Sequence, residues 1–196
     1  FNEFEQATHM PCPALFSVKT FDHVLKKGKI AIVFGVSNAS KGNHVSNMAM
    51  QKMITAYKYF SDKAFQVEIV CHYIDELDMA YKTFPEANIH YSYDARDYES
   101  IYQEFEYVIT SRVHAIGMCA SLSIPGTLIA HDGRAKTVKG FLADIVQDSE
   151  DDTIFIEQVS TRLKNTISLS SELKEHKRTI YNNYRSLLLR VLGLNE

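Results

Sequence analysis

Glu106-Tyr107-Val108-Ile109-Thr110-Ser111-Arg112-Val113-His114-Ala115 reads as a buried strand, Tyr107 to Thr110, that turns straight into a helix. The helix is apolar at Val113, Ile116, Gly117 and Ala120, positions three and four apart that share one face. Ser111 is placed to cap it, because a serine hydroxyl accepts a bond from an unpaired N–H of the first turn. Arg112 and His114 fall at the same point. A helix start offers unpaired N–H groups and a partial positive charge, both of which favour an anion. A guanidinium adds a two-pronged clamp for phosphate or carboxylate, and an imidazole adds a group that moves a proton near neutral pH. Residues two apart on a helix point in different directions, so the two side chains converge only if Arg112 takes the cap or first position. The competing reading pairs Arg112 with a surface carboxylate and makes His114 a hydrogen-bonded core histidine. Spacing alone leaves both open.

Working outward, strands and helices alternate. Residues 29–35 are a β-branched run of the kind found in buried parallel strands. A polar loop, residues 36–43, leads to a helix with Val45, Met48, Ala49, Met53, Ala56, Tyr57 and Phe60 at helical spacing. Gly35 and Lys41 do not form a phosphate loop, since the second glycine before the lysine is missing. Ser37, Asn38 and Lys41 are candidates to line a cleft at the strand's end. Residues 66–72 are a second strand, with His72 and Asp75 at its C-terminal end, where open sheets bind ligands. A helix over 75–83, a strand over 89–93 and a helix over 97–105 precede the central stretch.

After it, residues 125–131 form a strand with His131-Asp132-Gly133-Arg134-Ala135-Lys136 as its exit loop, where Arg134 or Lys136 could supply a second cation. A helix is expected through Val138, Phe141, Leu142 and Ile145, then an acidic solvated loop at 147–152. A last strand over 153–156, its helix over 157–167 and a long helix over 170–192 follow. The long helix carries one apolar face, Leu173, Ile180, Tyr184, Leu187, Leu188 and Val191. This order predicts an α/β, Rossmann-like fold: a mostly parallel sheet with helices on both faces.

The 196 residues suffice for one domain with a full core, and 45% hydrophobic with 23% charged content is that of a globular protein. A net charge of −3 gives no basic field for nucleic acid, so any anion site is local. Cys12, Cys71 and Cys119 lack metal-ligand spacing and read as buried, reduced thiols of a cytoplasmic protein. No metal site is expected. No apolar run reaches transmembrane length, and no signal peptide is visible. The chain starts Phe1-Asn2-Glu3, so a fragment of a longer protein is expected.

Two stretches carry a resemblance. Thr110-Ser111-Arg112-Val113-His114-Ala115 followed by Ser123-Ile124-Pro125-Gly126 resembles the signature of the polysaccharide pyruvyl transferases, in which a strand leads into Arg-Leu-His-Ala, an apolar helix and an Ile-Pro or Val-Pro step. Val113 stands where leucine is usual. Cys12-Pro13-Ala14-Leu15-Phe16 resembles the family's Cys-Pro-Ser-Leu stretch. The resemblance implies the C-terminal, phosphoenolpyruvate-binding half of a GT-B-like enzyme that moves pyruvyl from phosphoenolpyruvate onto two sugar hydroxyls as a ketal, in surface polysaccharide biosynthesis. It implies Arg112 and His114 as catalytic residues; Ser111, Lys136 and Arg134 beside them, and Ser37 and His72 from their places at strand ends, are the further candidates around the substrate. It further implies phosphoenolpyruvate as donor substrate with no cofactor, and a saccharide or lipid-linked oligosaccharide as acceptor. The place of action expected is the cytoplasm, either free or peripheral at the inner face of the membrane.

The matching division is a lead-in from a missing N-terminal half at 1–28, the Rossmann-like domain at 29–168 and the amphipathic helix at 169–196, through which a homo-oligomer could form. Alone, this half is expected not to turn over. Two rival expectations stand: a GT-B glycosyltransferase domain that binds a nucleotide-sugar donor, and a non-catalytic Rossmann-like interaction module.

Overall fold

Residues 10–19, 24–37 and 44–193 are described by the structure, a computed structural model. In β1 (Lys29–Phe34), Ile30, Ile32 and Phe34 face one side and Ala31 and Val33 the other, and all five are buried. A strand apolar on both faces must be covered on both, which is the situation of a strand inside a parallel sheet. The other strands are β2 (Gln66–Cys71), β3 (Ile89–His90), β4 (Tyr107–Thr110), β5 (Gly126–Ala130) and β6 (Asp144–Gln147). All pair in parallel, in the order β3-β2-β1-β4-β5-β6. The chain therefore starts at the middle of the sheet, builds to one edge, returns, and builds to the other. Between β1 and β4 the direction of building reverses. Open α/β sheets bind ligands at such a point, outside the carboxyl ends of the strands. Val33 pairs with Thr110, so the same parallel register brings Gly35 beside Arg112 where the two strands leave the sheet.

Among the described residues six α-helices cover the sheet: α1 (Asn47–Asp62), α2 (Leu77–Thr83), α3 (Asp97–Tyr102), α4 (Val113–Ser121), α5 (Asp152–Leu163) and α6 (Thr166–Leu192). One face is packed by Met53, Ala56 and Phe60 of α1, Ala80 of α2 and Phe155 and Val159 of α5. The other is packed by Tyr98 and Tyr102 of α3, Ile116, Cys119 and Ala120 of α4, and Leu173 and Ile180 of α6. The segment before β1 belongs to this second layer. Pro13–Phe16 is a 3-10 turn whose Leu15 is fully buried. It lies so close to α4 that a Cβ at Gly117 would sit 3.0 Å from the Ala14 Cβ. Buried Lys177 of α6 ties the layer together, donating to Val18 O and to Ser121 O at the end of α4, each at 2.7 Å. Burial pulls its ammonium down to about 8.

Several sequence expectations are corrected. Residues 153–156 are not a strand but the first turns of α5. Their β-branched composition suggests a strand, but Asp151 caps the helix by accepting from Thr153 N at 2.8 Å, and Phe155, Ile156 and Val159 bury at helical spacing. The helix expected through Val138 and Ile145 is a 3-10 segment, Gly133–Phe141. Leu142 ends it in the left-handed region (φ 53), and Ile145 lies in β6. Residue 93 lies beyond β3, which stops at His90, and α6 begins at Thr166 rather than 170. The loop at 147–152 is not simply solvated: buried Lys52 reaches across from α1 to Glu150 O and to Asp152 at 2.9 Å. Cys71 and Cys119 are buried, whereas Cys12 is exposed. Asn38 and Lys41 lie outside the described residues. Among the described residues no helix is long and apolar enough to cross a membrane.

The last turns of α6 leave the sheet behind. Leu188, Val191 and Leu192 are 54%, 72% and 66% exposed. An apolar strip of this kind favours self-association. Light scattering of the chain should show mass rising with concentration. Leu188→Glu combined with Val191→Glu should return it to a monomer with an unchanged melting point. A clean monomer of the unaltered chain at high concentration would rule the strip out as a contact.

Candidate functional site

The C-terminal ends of β1, β2, β4 and β5 open on a cleft of about 450 Å³. β4 delivers Ser111 and Arg112, and the first turn of α4 delivers His114. β2 delivers His72 and Tyr73, and β5 delivers His131, followed by Arg134. His44 and Val45 close one side, and Cys12 of the lead-in turn reaches the rim.

Arg112, not Ser111, is the N-cap of α4, in extended conformation (φ −103, ψ 115). Its N–H donates to Thr110 Oγ1 at 2.9 Å, which turns the chain out of β4. Ser111 instead lines the cleft, buried, with no hydrogen-bond partner for its hydroxyl among the described residues. The cap position satisfies the condition for convergence: Arg112 and His114 both line the cleft. The first-turn N–H groups of α4 point to the same end, as at any helix start.

The Arg112 guanidinium is fixed from two sides. It donates to Oε1 of Glu76, and it lies over the Tyr73 ring, 4.7 Å from the centroid. Glu76 is fully buried, and its Oε2 accepts from His72 N at 2.8 Å and Tyr73 N at 3.1 Å. Burial draws the Arg112 guanidinium below its usual range, yet an arginine stays charged at any ordinary pH. Gly35 permits the approach: a Cβ there would lie 2.7 Å from Val45 Cγ1 and 3.5 Å from the guanidinium. The carboxylate that pairs with Arg112 is therefore buried, where a surface one was the alternative. His114 is exposed in the cleft and not a core histidine.

The other imidazoles differ. His72 Nε2 lies 2.6 Å from the Tyr102 hydroxyl, so its partner is this tyrosine rather than Asp75. Burial, then the nearby Arg112 and His114, push His72 down to about 3. His131 is also lowered by burial. Both are neutral at pH 7. Arg134 reaches the cleft but is held by Asp132, Nε to Oδ2 at 2.9 Å and Nη2 to Oδ2 at 2.6 Å. Both cleft arginines are thus already paired, and the cleft is less positive than the sequence suggests.

Of the sequence-derived candidates, Ser111, Arg112, His114, His72 and Arg134 come together. Lys136 is exposed and Ser37 half-buried, and neither is among the residues that line the cleft. Glu76, Tyr73, His131 and His44 were not foreseen as site residues. Glu76 had a signal. A glutamate three positions after a helix boundary folds back onto the boundary's N–H, and here it does so onto Tyr73 N. Asp75 beside it drew the attention.

Half-buried His72 makes the stability of the fold depend on pH. Its folded-state value lies below the unfolded value of 6.5, so its contribution is present above that pH and is lost as pH falls from 6.5 toward about 3. Within that window each pH unit should cost about 1.4 kcal/mol from this group. Denaturant unfolding of the chain at several pH values should show the slope, and His72→Gln should flatten it. An equal slope in both would mean that another group carries it.

Against solved structures the fold is shared with MurG of Acinetobacter baumannii (TM-score 0.52, 15% identity, 82% of this chain and 46% of that one). It is shared as well with the glycotransferase of kitacinnamycin (TM-score 0.54, 13% identity, 85% and 43%) and with TarM (0.50, 11%, 87% and 35%). The chain spans less than half the length of each. The likeness is to one Rossmann-like half of a GT-B glycosyltransferase. No curated protein sequence matches the chain. The family model for polysaccharide pyruvyl transferase matches residues 1–133. That span runs from before the Cys12 turn to the end of β5 and includes Glu76, Arg112 and His114, so the chain belongs to the polysaccharide pyruvyl transferase family.

Proposed function

We propose that this chain is the donor-binding half of a transferase that moves pyruvyl from phosphoenolpyruvate to two hydroxyls of a sugar, as a ketal. The observation that carries the reading is the convergence of an oriented guanidinium, Arg112, and an exposed imidazole, His114, on one cleft at the switch point of the sheet. Phosphoenolpyruvate is small and carries two anionic groups next to the carbon that reacts. A cleft of about 450 Å³ holds it with room for the incoming hydroxyl. The acceptor is a saccharide, free or lipid-linked.

The roles follow from chemistry. Arg112 holds the phosphate or carboxylate, with the N–H groups at the start of α4 as further donors. His114 gives a proton to the methylene carbon, and a sugar hydroxyl adds to the neighbouring carbon, losing its own proton to solvent. The bond to phosphate then breaks, with the electron pair leaving on phosphate. The second hydroxyl adds to the same carbon, and its proton passes to the departing phosphate. His72 and His131 are neutral at pH 7 and are poor proton donors; of the two exposed imidazoles of the cleft, His44 and His114, His114 is assigned the acid role because it stands in the first turn of α4, two residues after Arg112. The cation beside the phosphate stabilises the charge that grows as it leaves.

The test is made in the full-length protein. Titration calorimetry should show binding of phosphoenolpyruvate and not of a panel of nucleotides; binding of nucleotides alone would overturn the reading in favour of a nucleotide-sugar donor. In a phosphate-release assay with candidate saccharides, Arg112→Lys should raise KM for phosphoenolpyruvate about tenfold to a hundredfold, because lysine lacks the planar fork. His114→Gln should instead lower kcat by roughly 10²–10⁴-fold. If both variants lose activity only as far as they lose folded protein in a thermal melt, the pair is structural.

A further inference from the structure

Next to the cleft lies a second cavity of about 260 Å³, which shares His72, Tyr73 and His114 with it and is lined further by Ser92, Tyr93, Ala95, Tyr98 and Met118. Its floor is built. The Tyr98 hydroxyl donates to Cys71 O at 2.6 Å, at the end of β2, and accepts from Ser92 N at 3.3 Å. The loop after β3 is fixed by bonds of its own: Ser92 Oγ donates to Asp97 at 2.6 Å, and Asp94 N donates to Ser92 Oγ at 3.1 Å. On this fixed loop Tyr93 is 84% exposed, with its ring set edge-on against Tyr91 at 5.1 Å. A tyrosine ring held out beside a cavity offers an apolar face and a polar tip, the combination that enriches tyrosine at binding surfaces.

We propose that this shelf is the sugar subsite, taking a pyranose with its C–H face on Tyr93 and its hydroxyls toward His114. The inference rests on the pyruvyl-transfer reading for the identity of the occupant as acceptor. Three features of the shelf select a sugar. Its walls are aromatic rings with apolar faces and polar rims, which suits a ligand apolar on one face and polar at its edge. Among the described residues no lysine or arginine lines it, which favours a neutral ligand over a second phosphate or carboxylate. It shares His114 with the cleft, so a sugar seated there meets the same imidazole that faces the donor.

Saturation-transfer NMR on the chain, with methyl β-galactopyranoside, methyl β-glucopyranoside and methyl α-mannopyranoside as probes, tests the subsite without turnover. At least one probe should receive saturation, strongest on the protons of one ring face. Tyr93→Ala should weaken its binding roughly three- to tenfold, the value of one aromatic contact, and Tyr93→Phe should keep it. Phosphoenolpyruvate binding, measured in parallel by calorimetry on the full-length protein, should be the same in Tyr93→Ala as in the unaltered protein. No transfer to any probe, or equal binding in Tyr93→Ala, overturns the subsite. A Tyr93-dependent sugar signal in a protein that does not bind phosphoenolpyruvate would leave the subsite standing and sink the donor reading instead.

Discussion

The buried contact between Glu76 and Arg112 is the constraint on which the site depends. Glu76 sits on the turn after β2, and Arg112 sits where β4 becomes α4, so the pair bridges across the end of β1. Burying a carboxylate is costly unless its lone pairs are used. Here they are used, by the guanidinium on one oxygen and two backbone N–H groups on the other. The same bonds shape the backbone: a carboxylate that gathers His72 N and Tyr73 N bends the chain sharply out of β2, and this bend swings His72 and Tyr73 toward the cleft. Removing one partner of such a pair costs about 3–5 kcal/mol because the other is left as an uncompensated charge. The pair therefore fixes the direction of a strand end, a helix start and three side chains of the cleft at once.

Much of this was legible in the sequence because it rests on local pattern. β1, β2, β4 and β5 are apolar runs bounded by polar loops, and α1 repeats its apolar residues at three and four, so element order and fold class follow without tertiary information. The position of the candidate cleft was legible for the same reason, since Arg112 and His114, which both line it, lie at a strand-to-helix boundary. What was not legible depended on contacts distant in sequence. The partner of Arg112 lies 36 residues away; the local pattern can mark Glu76 as a capping residue, but it cannot pair it with Arg112. Thr153 to Ile156 has strand composition, and only the cap at Asp151 and the sheet face beneath Phe155 make it helical. The end of β3 after two residues is likewise set by Tyr98, which binds the Ser92 backbone and pulls the chain off the sheet edge.

The lead-in segment shows how a stretch with turn residues becomes part of a site. Pro13 starts the 3-10 turn, where its fixed φ is suitable and its missing N–H is not needed. Leu15 then enters the layer beside α4, and Lys177 holds Val18 O and Ser121 O together. α4 is thus gripped at its C-terminal end by an ammonium, the charge its dipole favours there, and at its N-terminal end by Arg112 and its partner. The helix that carries His114 is positioned at both ends by charges from elsewhere in the chain.

A cleft whose arginines are already paired poses a question of affinity. A bare guanidinium would attract an anionic donor more strongly than Arg112, which shares its charge with Glu76. Strong uniform attraction, however, lowers KM without raising kcat, and only interactions that grow toward the transition state speed the chemical step. On the proposed reading, charge grows on the phosphate as it leaves. A guanidinium already held flat between Glu76 and Tyr73 meets that charge without having to reorganise. The pairing thus gives up some attraction for the free donor and keeps orientation for the departing one. The neutral His72 beneath it fits the same balance, because a second buried cation there would add to ground-state attraction and would repel Arg112.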